Sequence, residues 1–400
     1  MSVRLAHRAD AQPASPIRRL APFAVAARER GVHVFQLNIG QPDIPAPREV
    51  LERLKTFDQT NVAYGPSEGQ PEFLQAIRDY YRSWDLEYRT EELFATTGGS
   101  EALLFTLAAI ADHGDDVLVF EPFYTNYSGF ASMIGVHTRP ITTRAEDGYH
   151  LPSAEEIEAQ IGPKTRAIML CSPNNPTGTV YTDDELERVG DVCRRRGLYL
   201  ISDEVYREFT YDGKIHRSAA TLPGLEKQII LTDSLSKRVS LCGARIGWIA
   251  SKNPEFMDAV LRFGQARLCP PTLAQHVGAV FNRISPDYMS GVVAEYEARR
   301  NLVVESLGSI PGVLVPRPEG AFYLCAKLPV DNAQRFAEFL LQDFSVDNQT
   351  VMVAPADGFY ATEGAGHDEV RIAYVLNLED LARAMKIIRA ALEAYPGTST

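Results

Sequence analysis

From residue 116 onward the chain alternates short unbroken apolar runs with longer segments of helical spacing. The runs fall at 116–120, 167–171, 198–202, 228–232 and 246–250, each too short for a helix and apolar on both faces. Between them, 124–134 and 182–196 read as amphipathic helices, the second opened by a capping box that pairs Thr182 with Glu185. Strands without polar alternation, separated by helices, predict a mostly parallel sheet covered on both faces. Upstream, 21–30 reads as a short helix ended by Gly31, and 71–83 as another. Beyond residue 250 the sheet signal fades into helices at 253–263 and 273–284. A long helix at 288–307, charged on one face, leads to a second region. There the pattern predicts strands at 313–315, 321–327, 351–353 and 370–374 and helices at 333–342 and 378–394. Repeats, low-complexity tracts and charge blocks do not occur.

Four hundred residues exceed one compact core and imply two domains, or one large domain with an appendage. The formal net charge of -12 argues against nucleic acid or an anionic membrane as partner. It leaves room for a local basic pocket. The polar stretch 2–16 has no apolar signal core, and no run of about 18 apolar residues occurs, which points to a cytoplasmic protein. Five scattered cysteines without a C-x-x-C pair, and eight histidines without close spacing, argue against a metal site or a disulfide framework.

Ligands of such sheets sit at the carboxyl ends of the strands, and the chemistry-bearing residues fall there. Lys237, in Thr232-Asp-Ser-Leu-Ser-Lys237, lies between two apolar runs with hydroxyls at Ser234 and Ser236 before it and Arg245 after it. Shielded from water, such an amine is able to attack a carbonyl, although a lysine at a strand end often only keeps its head in solvent. Thr96-Thr-Gly-Gly-Ser-Glu101 is a glycine turn opening an apolar helix. Its free N–H groups and helix dipole suit a phosphate, with the Ser100 hydroxyl alongside. Glu121-Pro-Phe-Tyr124 offers an aromatic face or a core tyrosine. Ser172-Pro-Asn-Asn-Pro-Thr-Gly178 carries two successive amides, which a plain turn does not require. Ser202-Asp-Glu-Val-Tyr206 puts a carboxylate at a strand tip, where a capping aspartate would also serve. Three prolines in 42–47 forbid regular structure after Gly40, whose backbone is open to close approach; an inter-domain connector would look the same. Tyr64 precedes Gly65-Pro66 in a turn-rich loop and could as well be a packing residue. Arg371 stands in an apolar strand, where it needs a partner: either Glu369 or a substrate carboxylate held by a bidentate fork.

Taken in order from Gly40 to Arg371, these motifs resemble the class I/II pyridoxal-phosphate (PLP) aminotransferases of fold type I, similar to aspartate aminotransferase, and the likeness covers nearly the whole chain. The resemblance implies an α/β fold: a large domain, 48–290, with a mostly parallel seven-stranded sheet, and a smaller α+β domain from 1–47 and 291–400. It implies that Lys237 bonds the cofactor aldehyde and then carries the substrate proton, that Asp203 keeps the pyridine nitrogen charged, and that Tyr206 and Asn175 bond the ring oxygen. Tyr124 would stack on the ring. Gly99, Ser100, Glu101, Ser234, Ser236 and Arg245 would hold the phosphate, joined by Tyr64 from the other subunit of a homodimer. Gly40, Asn175 and Arg371 would hold the substrate carboxylate. The implied reaction moves an amino group from an L-amino acid to a 2-oxo acid, with 2-oxoglutarate and glutamate as one pair and aspartate or an aromatic or neutral amino acid as the other. Aspartate-selective relatives often have a lysine where this chain has Ser100, and no arginine clearly matches the one that reads a second carboxylate; Arg267 is a possible substitute. A lyase or cyclising enzyme of the same fold, or a non-catalytic PLP-binding protein, would share these motifs.

Overall fold

The structure, a computed structural model, describes residues 3–398 apart from 11, 13 and 14. Among these residues the strands, in chain order, are β1 (His33–Gln36), β2 (Leu93–Thr96), β3 (Asp116–Glu121), β4 (His137–Thr142), β5 (Thr165–Cys171) and β6 (Tyr199–Asp203). They continue with β7 (Ile229–Ser234), β8 (Gly247–Ala250), β9 (Tyr323–Lys327), β10 (Gln349–Met352), β11 (Ala354–Pro355) and β12 (Glu369–Ala373). Strands β2 to β8 form one seven-stranded sheet in the order β2-β8-β7-β6-β5-β3-β4. All neighbours run parallel except at β8, which is antiparallel to both β2 and β7. The amino end of β8 therefore lies among the carboxyl ends of the other strands. That single reversal brings Arg245 to the edge where the strand-end loops gather.

Both faces of the sheet are buried, as unbroken apolar strands require. In β3, Val117 and Val119 enter one core while Leu118 and Phe120 enter the other. In β5, Ala167 and Met169 oppose Ile168 and Leu170 in the same way. This is the two-residue alternation of a pleated strand. The second core is closed by the helices Pro71–Arg82 and Asp183–Arg196, the latter opened by the Thr182–Glu185 capping box. The first core continues without a break into the C-terminal part of the chain. There β11-β12-β9 form an antiparallel sheet, and β1 pairs in parallel with β10. The long helix Pro286–Gly308 runs beside Leu378–Ala394. Its Arg299 bonds Asp43 at 2.6 and 3.1 Å, tying the proline-rich segment after Gly40 to the helix.

Several elements depart from the sequence pattern. The strand expected at 313–315 is absent; Leu314 makes an isolated bridge to Lys327. The helix expected over 273–284 is Thr272–Gly278 followed by a separate turn at Phe281–Arg283. Strands β1, β2 and β4 carry no clear signal, and β4 explains why: it is the sheet's edge, half-exposed, and contains Pro140.

Candidate active site

At the carboxyl ends of β3, β5, β6 and β7 a cavity of about 420 Å³ opens, within the range of small-molecule sites. Lys237 sits on its wall. Ser234 ends β7 and caps the one-turn helix Leu235–Arg238, its Oγ accepting the Ser236 N–H at 3.3 Å. The turn aims Lys237 Nζ at the Gly40 carbonyl, 2.7 Å away, with the Phe322 ring 5.8 Å off. Lys237 is half-buried, less enclosed than its apolar flanks suggest, because the cavity itself borders it. Gly40 admits no side chain: a Cβ there would lie 1.7 Å from Tyr323 Oη.

Opposite, Asp203 ends β6 nearly enclosed. Tyr127 Oη donates to its Oδ2 at 2.7 Å. Burial pushes this carboxyl up to about 6, while the bonds from Tyr127 and the Val205 N–H favour the ionised form. The buried Tyr206 hydroxyl is 3.0 Å from that of Tyr323, and burial raises its phenol far above the ordinary range. Tyr124 forms part of the wall, accepting from Asn126 Nδ2 at 2.8 Å, and burial pushes its phenol up to about 12.

The anion corner lies where the helix Gly98–Ile110 starts. Gly99, Ser100, Ser234, Ser236 and Arg245 all line it. Arg245 takes a left-handed backbone with φ of 55° and donates to the Cys242 carbonyl at 2.9 Å. A Cβ on Gly98 would fall 2.6 Å from Arg245 Nη2, so the guanidinium lies directly over the helix start. Gly247 is equally constrained: a Cβ would meet the Gly98 carbon and Gly99 nitrogen at 2.7 and 2.8 Å. Exposed N–H groups, hydroxyls and a cation make this a seat for a phosphate.

Arg371 is 2% exposed and lines the same cavity. It donates to Asn175 Oδ1 at 3.2 Å and to the Asn38 carbonyl, and it lies 4.8 Å from both the Tyr323 and Phe359 rings. Its Nε has no partner, and burial lowers its pKa. Glu369 does not pair with it; that carboxylate accepts from Tyr360 at 2.7 Å and Tyr149 at 3.3 Å instead. An unsatisfied buried guanidinium donor is costly unless an anion completes it.

One expected cofactor contact lies off the cavity wall. Glu101 turns out of the cavity, accepting the Thr97 N–H at 2.8 Å and pairing with Arg267 at 3.2 Å, because a carboxylate in the first turn of a helix is best used on its free N–H groups. Arg267, paired with Glu101 and flanked by Phe94 and Phe105, does not line the cavity. Tyr64 is 81% exposed and does not line the cavity of its own chain. Conversely, Tyr127, Tyr323 and the N-terminal Ser15, Ile17 and Arg18 line it without having been singled out from the sequence. Tyr127 had a signal available: it follows Tyr124 by three residues, one helical turn on.

Residues 32–388 match the sequence model of the family described as aminotransferase class I and II. The chain is 30% identical over 395 residues to a probable aspartate/prephenate aminotransferase of Aquifex aeolicus, spanning 97% of this chain and 98% of that one. It is 30% identical over 390 residues to aromatic-amino-acid aminotransferase 2 of Thermococcus litoralis, spanning 95% and 96% of the two chains. The solved aspartate aminotransferase from Thermus thermophilus superposes with a TM-score of 0.88 at 29% identity, over 98% of this chain and all of that one. With the family's sequence model spanning nearly the whole fold, the chain belongs to the class I and II aminotransferases, enzymes that transfer amino groups with pyridoxal 5'-phosphate.

Proposed function

We propose that the cavity holds pyridoxal phosphate and a substrate together, with Lys237, Asp203 and Arg371 as its three working groups. The observation that carries this reading is their convergence on one cavity, in which Arg371 Nε is buried without a partner. The donor set suits the cofactor. The Gly98–Ile110 helix start, Ser100, Ser234, Ser236 and Arg245 would take the phosphate; Asp203 would face the pyridine nitrogen; Tyr206 and Asn175 would bond the ring oxygen, with Tyr124 against the ring face. The glycines support the fit, since a side chain at Gly98 would displace the Arg245 guanidinium and one at Gly247 would push on the backbone of the helix start. When bound, the cofactor supplies an electron sink and carries the amino group between substrates. The protein's own part is to bind, orient and move protons. Asp203, ionised in a dry setting, keeps its partner nitrogen charged. Arg371 and the Gly40 backbone fix the substrate α-carboxylate, which sets the Cα bond to be broken. Lys237 Nζ, held by the Gly40 carbonyl, is the base that removes the Cα proton.

Glutamate and 2-oxoglutarate form one substrate pair in this reading, and aspartate or an aromatic or neutral amino acid the other; the names of the relatives support those classes. The active unit is a homodimer in which Tyr64, projecting from its own chain, completes the phosphate site of the neighbour. The compartment is the cytoplasm: all five cysteines are unpaired, and among the described residues no helix is long and apolar enough to cross a membrane.

The test is a panel of L-amino acids against 2-oxoglutarate and pyruvate, read by the change in cofactor absorbance and by the keto acid formed. Borohydride reduction followed by peptide mapping should leave the pyridoxyl group on Lys237. Label on another lysine, or no amino transfer with any pair, would overturn the reading.

A further inference from the structure

Lys237 stands in the one-turn helix Leu235–Arg238, and a single turn holds itself poorly, because it fixes several residues for few bonds. Its backbone anchors are long. The Leu235 N–H reaches the Ile246 carbonyl at 3.2 Å, and the Ser240 and Leu241 N–H groups reach the Lys237 and Leu235 carbonyls at 3.4 Å. The Ser234 cap is 3.3 Å long, and the Cys242 thiol, a weak donor, meets the Ser236 carbonyl at 2.9 Å. Yet in the function proposed above, on which this inference rests, this turn must hold a reacting amine steady.

The next residue supplies what the turn lacks. Arg238 is 3% exposed, and its Nη2 straddles both oxygens of Asp233 at 2.8 and 2.7 Å. Asp233 belongs to β7, is 1% exposed, and accepts the N–H of the capping Ser234 at 2.6 Å. The pair therefore clips the last residue of the turn to the strand that opens it. Arg238 Nε also reaches the Glu208 carboxylate at 3.1 and 3.2 Å, and the guanidinium lies 4.4 Å from the Tyr80 ring and 5.3 Å from that of Trp248. Consecutive helical residues diverge by about 100°, so a turn with Arg238 held in this buried setting projects Lys237 to another side, where the cavity lies. Glu208 follows Asp203 and Tyr206 in the segment that leaves β6. One guanidinium thus joins the end of β7, with Lys237, to the end of β6, with the other two cavity groups.

Stability alone does not account for this arrangement. Arg238 Nη1 is buried without a partner, and a buried ion pair often stabilises a fold no better than apolar residues of the same shape. We propose that Arg238 is a positioning residue for amino transfer: bound to Asp233 and Glu208, it fixes the turn of Lys237 against the end of β6, so that Nζ keeps one place between the cofactor aldehyde and the substrate Cα. A guanidinium suits the task because its donors are rigid and planar and engage two carboxylates at once, which a lysine ammonium on a flexible stem does not reproduce.

The test compares wild type with Arg238→Lys and with the double variant Asp233→Asn/Arg238→Gln, a neutral pair that strands no charge. In the full-length apo protein, the rate at which Lys237 bonds pyridoxal phosphate, followed by absorbance and mapped by borohydride reduction, should fall about tenfold or more in both variants, since a small misplacement of a reacting group is enough for such a loss. Deoxypyridoxine phosphate, which has no aldehyde, should bind wild type and variants equally. In the loaded enzyme kcat should fall by a similar factor while KM for the amino acid stays unchanged. Undiminished capture and turnover in both variants would overturn the assignment. A loss of deoxypyridoxine phosphate affinity matching the loss of rate, or failure of both variants to fold by far-UV circular dichroism, would overturn it too, because either places Arg238 in the fold alone. If the wild type transaminated no pair, the proposed function would fall, and the capture rates would still decide whether Arg238 positions Lys237.

Discussion

Tyr127 Oη lies 2.7 Å from Asp203 Oδ2 and donates to it on the wall of the cavity, where both side chains are buried. The bond acts against burial, which on its own pushes the carboxyl up, to about 6 in balance. In the proposed site Asp203 pairs, ionised, with a protonated ring nitrogen, so cofactor affinity should fall as the pH drops through about 6. In Tyr127→Phe the ionised form loses a donor, its pKa rises, and that acid limb moves to higher pH. Loss of a bond to a charged group costs about 1.5–3 kcal/mol, hence roughly tenfold or more in cofactor affinity at a pH below the limb. Fluorescence titration of the apo protein with pyridoxal phosphate across pH 5–8 measures it; an unmoved limb would refute the role of Tyr127.

The same shift makes a stability statement of opposite sign to the functional one. A carboxyl whose folded pKa is raised from 3.8 to about 6 binds its proton more tightly when folded. Its stabilising contribution is therefore full below the unfolded value and lost as the pH rises through about 6. Asp203→Asn, neutral at every pH, should make the apo protein more stable than wild type above that pH by on the order of a few kcal/mol, with the two converging near pH 4. Amino transfer in the same variant should drop by about a hundredfold or more, the usual cost of losing one preorganised charge. Thermal melts at several pH values, set beside single-turnover rates, measure both.

Several of the residues expected from the sequence reach the cavity wall for a local reason: each comes at or just after a strand's end. Lys237, Asp203 and Asn175 come at the ends of β7, β6 and β5, and an unbroken apolar run announces each strand. The helices Ala333–Gln342 and Leu378–Ala394 were legible to the residue, because Asn332 and Asn377 cap amphipathic repeats. What stayed hidden depends on the chain folding back. Tyr323 acts through Gly40 and Tyr206, 283 and 117 residues away. Arg18 reaches the cavity rim through an N-terminal segment with no pattern of its own. The spacing of Glu101 suits both a phosphate site and the capping of its own helix, and in the structure its carboxylate accepts the Thr97 N–H.

Directly beside Asp203, Glu204 is buried with Arg207, both fully enclosed. Burial alone would raise the Glu204 carboxyl, but Arg207 and His216 outweigh it and hold the group at about 2. Ser202, Ser218 and the Ala219 N–H complete its shell at 2.9, 2.9 and 3.0 Å, while His216 Nε2 stands 3.2 Å away as an ion-pair contact. The depressed pKa contributes stability that is present above 4.5 and lost as the pH falls toward about 2. Arg207→Met strands the carboxylate and should cost about 3–5 kcal/mol at pH 7. The sign of the pH dependence should reverse in that variant, because an uncompensated buried carboxyl takes up a proton on mild acidification. Urea melts at pH 7 and pH 5 measure it. Adding Glu204→Gln should recover much of the loss, and failure to recover would place the role of Arg207 in its packing against Tyr81 and Trp84 rather than in its charge.

Gly40 offers a purely steric test. Its carbonyl accepts from Lys237 Nζ at 2.7 Å and from Tyr323 Oη at 3.4 Å. An alanine Cβ would sit 1.7 Å from Tyr323 Oη and 2.2 Å from its Cζ, so the ring must move, taking with it the 3.0 Å contact to Tyr206. Gly40→Ala should cost about 1–3 kcal/mol of stability and most of the activity. Tyr323→Phe would not relieve it, since ring carbon remains in the way. Tyr323→Ala in the Gly40→Ala background should restore stability toward that of Tyr323→Ala alone. A double mutant cycle with no coupling between the two positions would contradict the clash.

The last prediction concerns assembly. Tyr64, 81% exposed on its own chain, reaches an active site only if a neighbour supplies one. In a two-fold dimer both sites then draw on both chains, as an isologous contact requires. Mix Lys237→Ala with Tyr64→Phe, dissociate the subunits, and let them re-pair at random. In each hybrid one site collects both lesions and the other collects neither. Half the dimers are hybrids, so about a quarter of all sites should regain native cofactor affinity and rate. If Tyr64 served its own chain, every hybrid site would keep one lesion and no native site would appear. The comparison needs a measurable defect in Tyr64→Phe, and the loss of one hydrogen bond to a charged phosphate, about 1.5–3 kcal/mol, supplies it. A titration of the re-paired mixture that finds no fully native fraction would rule out the shared site.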